Sequence, residues 1–185
     1  MFHEIHQPSK RRLLKFSGSV FIIGAMWPFS RVSASLTVRK DGDFNYCNKC
    51  HAMFFREGGP GRCAAGGKHV GQGYNFQLPY GGQETPTAQT NWCSCNSCEA
   101  LFFDGYNNKG RCPASSSGHE ANRKFVYVLP HDIRETKNTQ KNWRFCNKCH
   151  VMFFNGYADK GKCPAGGGHV AQGYNFVLPY SGHTR

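Results

Sequence analysis

Hydrophobic residues occur in this chain as short runs separated by glycine- and asparagine-rich loops. Residues 143–145 and 151–154 are aromatic or branched runs bounded by such loops, which is typical of short strands. Residues 125–129 and 174–178 are similar runs of aromatic and branched side chains. Beyond the amino-terminal segment, no stretch shows the 3.6-residue period of an amphipathic helix. The pattern therefore predicts a protein of strands and loops.

The same pattern occurs three times, which indicates three internal repeats. Each copy has a Cys-x-x-Cys motif, an aromatic pair, a third cysteine, a histidine and a Leu-Pro. We assign the copies to residues 35–80, 91–131 and 142–181. The polar stretches 81–91 and 132–142 are interpreted as linkers.

Composition restricts the fold further. Ten cysteines, 22 glycines and a mean hydropathy of -0.57 leave too few aliphatic side chains for a large helical or doubly wound core. No apolar run reaches the about 18–20 residues of a membrane span. Aromatic residues, 14% of the chain, argue against disorder. We expect small, β-rich, loop-rich modules in tandem that are stapled by their cysteines, with a β-trefoil as the alternative.

The cysteine and histidine spacing is typical of metal sites. In each copy, Cys-x-x-Cys is followed by 12 or 13 residues, a third cysteine, 5 or 6 residues and a histidine. Such pairs supply the edges of a tetrahedron, as in Cys3His structural zinc sites. The sequence predicts three zinc sites, formed by Cys47, Cys50, Cys63 and His69, by Cys95, Cys98, Cys112 and His119, and by Cys146, Cys149, Cys163 and His169.

Two other interpretations of the cysteines stay open at this point. Three cysteines per copy plus Cys93 make an even total, so disulfides that cross between copies are one alternative. Cys-x-x-Cys followed by His51 or His150 also matches the attachment motif of haem c. The middle copy has Glu99 at that position, and haem attachment leaves the third cysteine and later histidine of each copy unexplained. If the predicted ligands bind metal, His51 and His150 are either surface histidines or residues that donate hydrogen bonds to the ligands.

The amino-terminal 34 residues predict export. Residues 9–15 are basic, residues 16–29 are modestly apolar, and small residues at 32–34 suit a signal peptidase. The segment resembles a twin-arginine signal, although Lys10 and Leu13 depart from that pattern, and a Sec signal is the alternative. The resemblance implies export of a folded, metal-loaded protein to the periplasm or beyond. Membrane contact is then expected only in transit, through the signal peptide.

The repeats also resemble a group of secreted proteins. The string Trp-x-x-Cys-x-Lys-Cys, Phe-Phe, Gly-x-Cys-Pro-Ala-Gly-Gly-x-His and Tyr-x-x-Leu looks like repeats in secreted bacterial and fungal proteins of unassigned role. It extends over residues 43–180 and is loosest in the middle copy, where residues 115–117 are serines. The resemblance implies export and modularity, and it carries no activity.

For function, we expect a non-catalytic binding protein rather than an enzyme. No carboxylate pair, and no nucleophile with its base, recurs in the three copies. Residues 35–185 carry 18 basic and 10 acidic side chains, a net charge of +8 that is scattered, so a cell surface or polysaccharide is a better partner than nucleic acid. The candidate ligand-binding residues are tyrosines in Gly/Asn-rich segments: Tyr74, Tyr106, Tyr157 and Tyr174.

Overall fold

The protein is all-strand over the part that the structure describes. The structure is a computed structural model that describes residues 44–183 and, for residues 37–38, the backbone. The predicted signal peptide, residues 1–34, lies outside the described residues. The described part contains no helix. It therefore has no helix that is long and apolar enough to cross a membrane. The prediction of a β-rich fold is confirmed.

The described residues form eleven strands in two sheets. In chain order they are β1 (Thr37–Val38), β2 (Phe44–Cys47), β3 (Met53–Phe55), β4 (Gly71–Phe76), β5 (Pro79–Tyr80), β6 (Ala88–Cys95), β7 (Leu101–Phe103), β8 (Ala121–Pro130), β9 (Thr139–Cys146), β10 (Met152–Phe154) and β11 (Ala171–His183). One sheet has the order β1-β5-β8-β6-β7 and the other β10-β9-β11-β4-β2-β3. The result is a near-closed, barrel-like arrangement of strands, and a β-trefoil is not shown.

Each copy contributes the same three-stranded unit. Its first strand (β2, β6 or β9) pairs antiparallel with a three-residue strand and with a longer one. In the third copy, for example, Trp143 lies opposite Phe154 on one side and Phe176 on the other. Strands β6 and β9 begin at Ala88 and Thr139, inside the stretches interpreted as linkers.

Backbone contacts join the three units into a ring. The amide of Phe55 donates to Glu99 O at 2.8 Å, Phe103 to His150 O at 3.0 Å, and Phe154 to His51 O at 3.0 Å. The first copy thus donates to the second, the second to the third, and the third to the first. Isolated bridges between the three short strands follow the same pattern. The copies are therefore interlocked and do not form a row of separate modules.

A glycine at each junction makes this close approach possible. Gly61, Gly110 and Gly161 have φ values of 54°, 67° and 63°, in the left-handed region that favours glycine. A Cβ on Gly110 would lie 2.3 Å from Cys149 O, and the other two face Cys98 O and Cys50 O at 2.2 and 2.3 Å. The backbone of each copy therefore touches the Cys-x-x-Cys turn of the next copy with no room for a side chain.

The interior has two distinct layers. One contains all ten cysteines and the small residues Ala52 and Ala100, together with Phe54, Phe102 and Phe153. The other is aromatic and includes the fully buried Trp92 and Trp143. The Phe-Phe pairs connect the layers, because successive side chains of a strand point to opposite faces. The first member of each pair is therefore buried in the core.

Replacing Gly110 by alanine tests the junction. We expect Gly110→Ala to destabilise the protein by about 1–2 kcal/mol through its left-handed backbone and by a further 1–3 kcal/mol through overlap with Cys149 O. Gly173→Ala is the matched control, since Gly173 has φ 70° and nothing within 4 Å of the added Cβ. The measurement is urea unfolding of the metal-loaded protein, followed by tryptophan fluorescence. Equal destabilisation by the two substitutions would contradict a tight junction.

Candidate metal centres

The structure brings the twelve predicted ligands together in three buried groups. Within each group the three cysteine sulfurs and one nitrogen of the histidine all lie within 4.8 Å of one another. The groups have the membership predicted from the spacing: Cys47, Cys50, Cys63 and His69; Cys95, Cys98, Cys112 and His119; Cys146, Cys149, Cys163 and His169. Each copy therefore carries a Cys3His group that could hold a metal ion.

The distances within the groups suit tetrahedral coordination. The sulfurs of Cys47 and Cys63 are 3.9 Å apart, and those of Cys95 and Cys112 are 4.0 Å apart. The second cysteine of each group lies 3.5, 3.5 and 3.4 Å from the Nδ1 atom of its histidine. Bonds of about 2.3 Å to sulfur and about 2.0 Å to nitrogen give tetrahedral edges of about 3.8 and 3.5 Å. The residues therefore fit a tetrahedral metal ion bound through Nδ1.

The same distances leave the disulfide alternative without support. A disulfide joins two sulfurs at about 2.05 Å. All ten cysteines lie in the described part of the chain, and all ten are free.

Each Cys-x-x-Cys motif forms a tight turn. The amide after the second cysteine donates to the carbonyl of the first, at 2.9 Å for His51 and Glu99 and 2.8 Å for His150. These three residues have positive φ values of 64°, 62° and 66°. The turn directs His51 and His150 away from the ligand groups, and their rings contact Tyr46 and Phe145 at 5.4 and 5.3 Å. The structure therefore gives these histidines no place among the ligands.

The loop that carries the third cysteine supplies hydrogen bonds to sulfur. The amides of Ala65 and Ala114 lie 3.4 Å from the sulfurs of Cys63 and Cys112. An amide that donates to sulfur favours the thiolate, which is the form that binds metal. The sequence does not predict these backbone donors, because Ala65 and Ala114 are recognisable there only as loop residues.

A lysine inside the Cys-x-x-Cys motif ties the two ligand loops together. The ammonium group of Lys49 donates to Gly66 O at 2.5 Å, and that of Lys148 donates to Gly166 O. The middle copy has Ser97 at this position, and there the third-cysteine loop is closed instead by Ser115 and Ser117, whose hydroxyls are 2.8 Å apart. The recurrence of Cys-x-Lys-Cys in two copies was the available signal for this contact.

Proximity within each group shifts the pKa values of its members. Side-chain hydrogen bonds, the largest from Cys50, hold the pKa of Cys47 far below its usual range, whereas the neighbouring Cys47 raises that of Cys50. Burial alone would lower the pKa of His69, but hydrogen bonds with Cys47 and Cys63 raise it to about 9. The pKa values of His119 and His169 are also raised to about 9. The first cysteine of each group is thus a buried thiolate, whose charge a bound cation would neutralise.

Packing also orients the ligand histidines. Their rings stack on the first phenylalanine of each pair, with ring centres 4.8 Å apart in all three copies. His169 Nε2 lies 3.0 Å from Cys50 O, across the junction to the first copy. With Nδ1 directed at sulfur, Nε2 carries the proton and donates to that carbonyl. One metal group therefore contacts the turn that forms the next.

Cys93 stands apart from the three groups. It lies in β6 opposite Phe102 and is 1% exposed. Burial, together with the charge of Asp104, raises the pKa of its thiol to about 11. Its surroundings are those of a small structural hydrophobe and not of a ligand.

The four candidate tyrosines lie at two surface clefts. Tyr74 and Tyr157 line one cleft, and Tyr106 and Tyr174 line another. Three of them are about half exposed: Tyr106 at 52%, Tyr157 at 54% and Tyr174 at 45%. Tyr74 is partly buried. The structure therefore divides the predicted set into two pairs, a division that the sequence does not indicate.

The different environments of Cys93 and Cys95, both in β6, give a testable prediction. At pH 8 a pKa of about 11 leaves about one thiol in a thousand ionised, so Cys93 should resist alkylation in the folded protein. We expect Cys93→Ala to leave the metal content unchanged and Cys95→Ala to lower it. Metal analysis of the purified variants and mass spectrometry after iodoacetamide treatment measure both effects. Loss of metal in Cys93→Ala would refute the assignment.

Comparison of the chain with protein-family models, with curated proteins and with solved structures found no match. The three copies can be compared with one another. Agreement among them in ligand type, ligand distance, turn geometry and ring stacking identifies the Cys3His groups as the candidate metal centres of this protein.

Proposed function

We propose that this chain is an exported, non-catalytic binding protein that three zinc ions hold in shape, and that its ligand is a cell-wall or other polysaccharide. The observation that carries the proposal is the threefold occurrence of a complete, buried Cys3His group. Four protein ligands occupy all the coordination positions of a tetrahedral metal ion and leave none for a water or a substrate. The metal therefore has a structural and not a catalytic role.

The donor set favours zinc over other metals. Thiolate and imidazole donors at tetrahedral distances suit zinc, whereas calcium and magnesium prefer oxygen ligands. Three thiolates around a divalent cation leave a net negative charge. An exposed basic residue precedes the third cysteine in every copy, namely Arg62, Arg111 and Lys162. That placement is favourable for a site of this charge.

Several features favour binding over catalysis. The one acidic residue that follows a Phe-Phe pair, Asp104, is engaged by Lys109 at 2.6 Å and by Arg123 at 2.8 Å. Both carboxylate oxygens of Asp104 are therefore already held by cationic partners. The equivalent residues in the other copies, Arg56 and Asn155, are not acids.

The proposed ligand class follows from the tyrosine clefts and the export signal. Tyrosine offers an apolar ring and a hydroxyl together, which suits a ligand with both C–H faces and hydroxyl groups, such as a sugar. Export would bring the protein to cell-wall polysaccharides, and the folded-export route that the amino terminus resembles accommodates metal loading before transport.

Metal analysis tests the structural half of the proposal. We expect three zinc ions per chain after purification without added metal, and nine thiols that become titratable when a chelator is added under denaturing conditions, besides Cys93. A haem absorption band near 400 nm, or a metal-free protein without titratable thiols, would refute zinc in favour of haem or disulfides.

Chelation tests whether the metal stabilises the fold. Each copy is too small to fold on its own core, and structural zinc contributes about 10 kcal/mol or more to such a unit. We therefore expect removal of zinc to abolish the near-ultraviolet circular dichroism of the buried tryptophans, and added zinc to restore it. Acid should act in the same direction, since protons compete with metal for thiolate and imidazole. An unchanged spectrum after complete zinc removal would contradict a structural role.

A further inference from the structure

The two tyrosine clefts lie at junctions between copies. Cleft A, of about 290 Å³, lies between the first and third copies, and its lining includes Tyr46, Gln72, Tyr74, Gln140, Phe154 and Tyr157. Cleft B, of about 230 Å³, lies between the second and third copies, and its lining includes Phe145, Gln172, Tyr174, Gln89, Phe103 and Tyr106.

These two linings correspond position by position, apart from His183, which lines cleft A alone. In each cleft one copy supplies an aromatic residue of its first strand, a glutamine and a tyrosine from its long strand. The neighbouring copy supplies a glutamine three residues before its tryptophan, the second phenylalanine of its pair, and a tyrosine three residues later. The only difference in chemistry among these six positions is Tyr46 in cleft A against Phe145 in cleft B.

The third junction has a cleft of different chemistry. Cleft C lies between the first and second copies, and its lining includes Gly58, Ser94, Lys124 and Glu57. Gly58 stands where the other clefts have Tyr106 and Tyr157, three residues after the aromatic pair. A side chain there would overlap the carboxylate of Glu99, which lies 2.6 Å from the position of a Cβ. Of the three clefts A, B and C at the junctions of the described copies, two are therefore of one kind and one is of another.

A buried tryptophan positions one glutamine in each tyrosine cleft. The indole N–H of Trp143 donates to Gln140 Oε1 at 3.0 Å, and that of Trp92 donates to Gln89 Oε1 at 3.1 Å. The bond holds the amide oxygen and leaves the NH2 group as a donor for a ligand. The first copy has Phe44 at the tryptophan position, so no indole is present there. A second glutamine of each cleft, Gln72 or Gln172, is exposed.

Contacts within the protein also hold the tyrosine rings in place. Tyr74 stacks on Tyr180 with ring centres 3.9 Å apart, and Tyr174 stacks on His131 at 3.7 Å. The two more exposed tyrosines pack edge-on against the floor of their clefts, Tyr157 on Phe154 and Tyr106 on Phe103, both at 5.0 Å. Rings fixed before binding lose little conformational entropy when a ligand arrives.

Resting on the proposed function, we propose that clefts A and B are two equivalent binding sites for units of a neutral polysaccharide, and that cleft C is not. The tyrosine rings pack against the C–H face of a sugar ring, and the glutamine amides bind its hydroxyl groups. No lysine, arginine, aspartate or glutamate lines either tyrosine cleft, and the one histidine, His183, lines cleft A alone, so a neutral ligand is the class that fits both clefts. The volumes of clefts A and B lie near the lower end of the range for ligand pockets, which is about 300 Å³. Each cleft therefore suits one or two sugar units.

Two sites on one rigid chain imply bivalent attachment to a polymer. Once one cleft holds a polysaccharide, the second binds at high effective concentration, and avidity exceeds the affinity of either cleft by about 10²–10⁴. Binding to a short oligosaccharide gains nothing from this effect. Polymer binding should therefore be much tighter than oligosaccharide binding, and it should depend on both clefts.

Cleft variants of the metal-loaded chain test the inference on cellulose, chitin and the negatively charged heparin. We expect retention on cellulose or chitin but not on heparin. Tyr157→Ala and Tyr106→Ala should each weaken retention at least tenfold, and the double variant should abolish it. Lys124→Ala in cleft C is the matched control and should bind like the unaltered protein. Calorimetry with the hexasaccharide of the retained polymer should give two sites per chain, and one in each single variant.

The alternative outcomes separate the two proposals. If no neutral polysaccharide retains the unaltered chain, both the polysaccharide ligand and the two-cleft assignment are wrong. If cellulose or chitin retains it but the double variant binds equally well, or the hexasaccharide binds at one or three sites, the cleft assignment alone is overturned. Retention on heparin alone overturns a neutral ligand. Zinc content and circular dichroism check the folding of each variant, and Gln72→Ala with Gln172→Ala repeats the test at exposed positions.

Discussion

The structure depends on one constraint: three sulfurs and one imidazole nitrogen must meet within 4.8 Å, away from water, in each of three places. Without a cation such a group combines buried negative charge with a histidine whose pKa is raised to about 9. The surrounding chain is arranged to support it. Tight turns place the first two cysteines, amide groups face the third, and a phenylalanine ring stacks on the histidine.

The second level of organisation joins these groups to one another. Each Cys-x-x-Cys turn has its backbone in contact with a glycine of the preceding copy, and the residue after the turn accepts a hydrogen bond from that copy. The turn that creates a metal group is therefore also the contact surface between copies. As a result, ligand geometry and the assembly of the three copies are mechanically linked, and the aromatic clefts at the junctions inherit their shape from both.

Much of the local structure could be predicted from the sequence. The spacing of Cys47, Cys50, Cys63 and His69 predicted their association because short loops restrict where their ends can lie. Aromatic runs predicted strands for the same local reason. Ring closure could not be predicted, because Gly110 and Cys149 O meet across different copies and nothing in either segment identifies its partner. The same holds for Tyr74, which shares a cleft with Tyr157 of the third copy and not with Tyr106.

Ring closure has a consequence for how such a protein can change in evolution. Open solenoids can gain or lose a repeat, because every internal repeat meets its neighbours in the same way. Here the third copy donates Phe154 N–H to His51 O of the first, so both ends of the series are already engaged. Insertion of a fourth copy would have to break that hydrogen bond. Deletion of one copy would leave its donor or its acceptor without a partner. The ring of backbone bonds is thus complete with three copies.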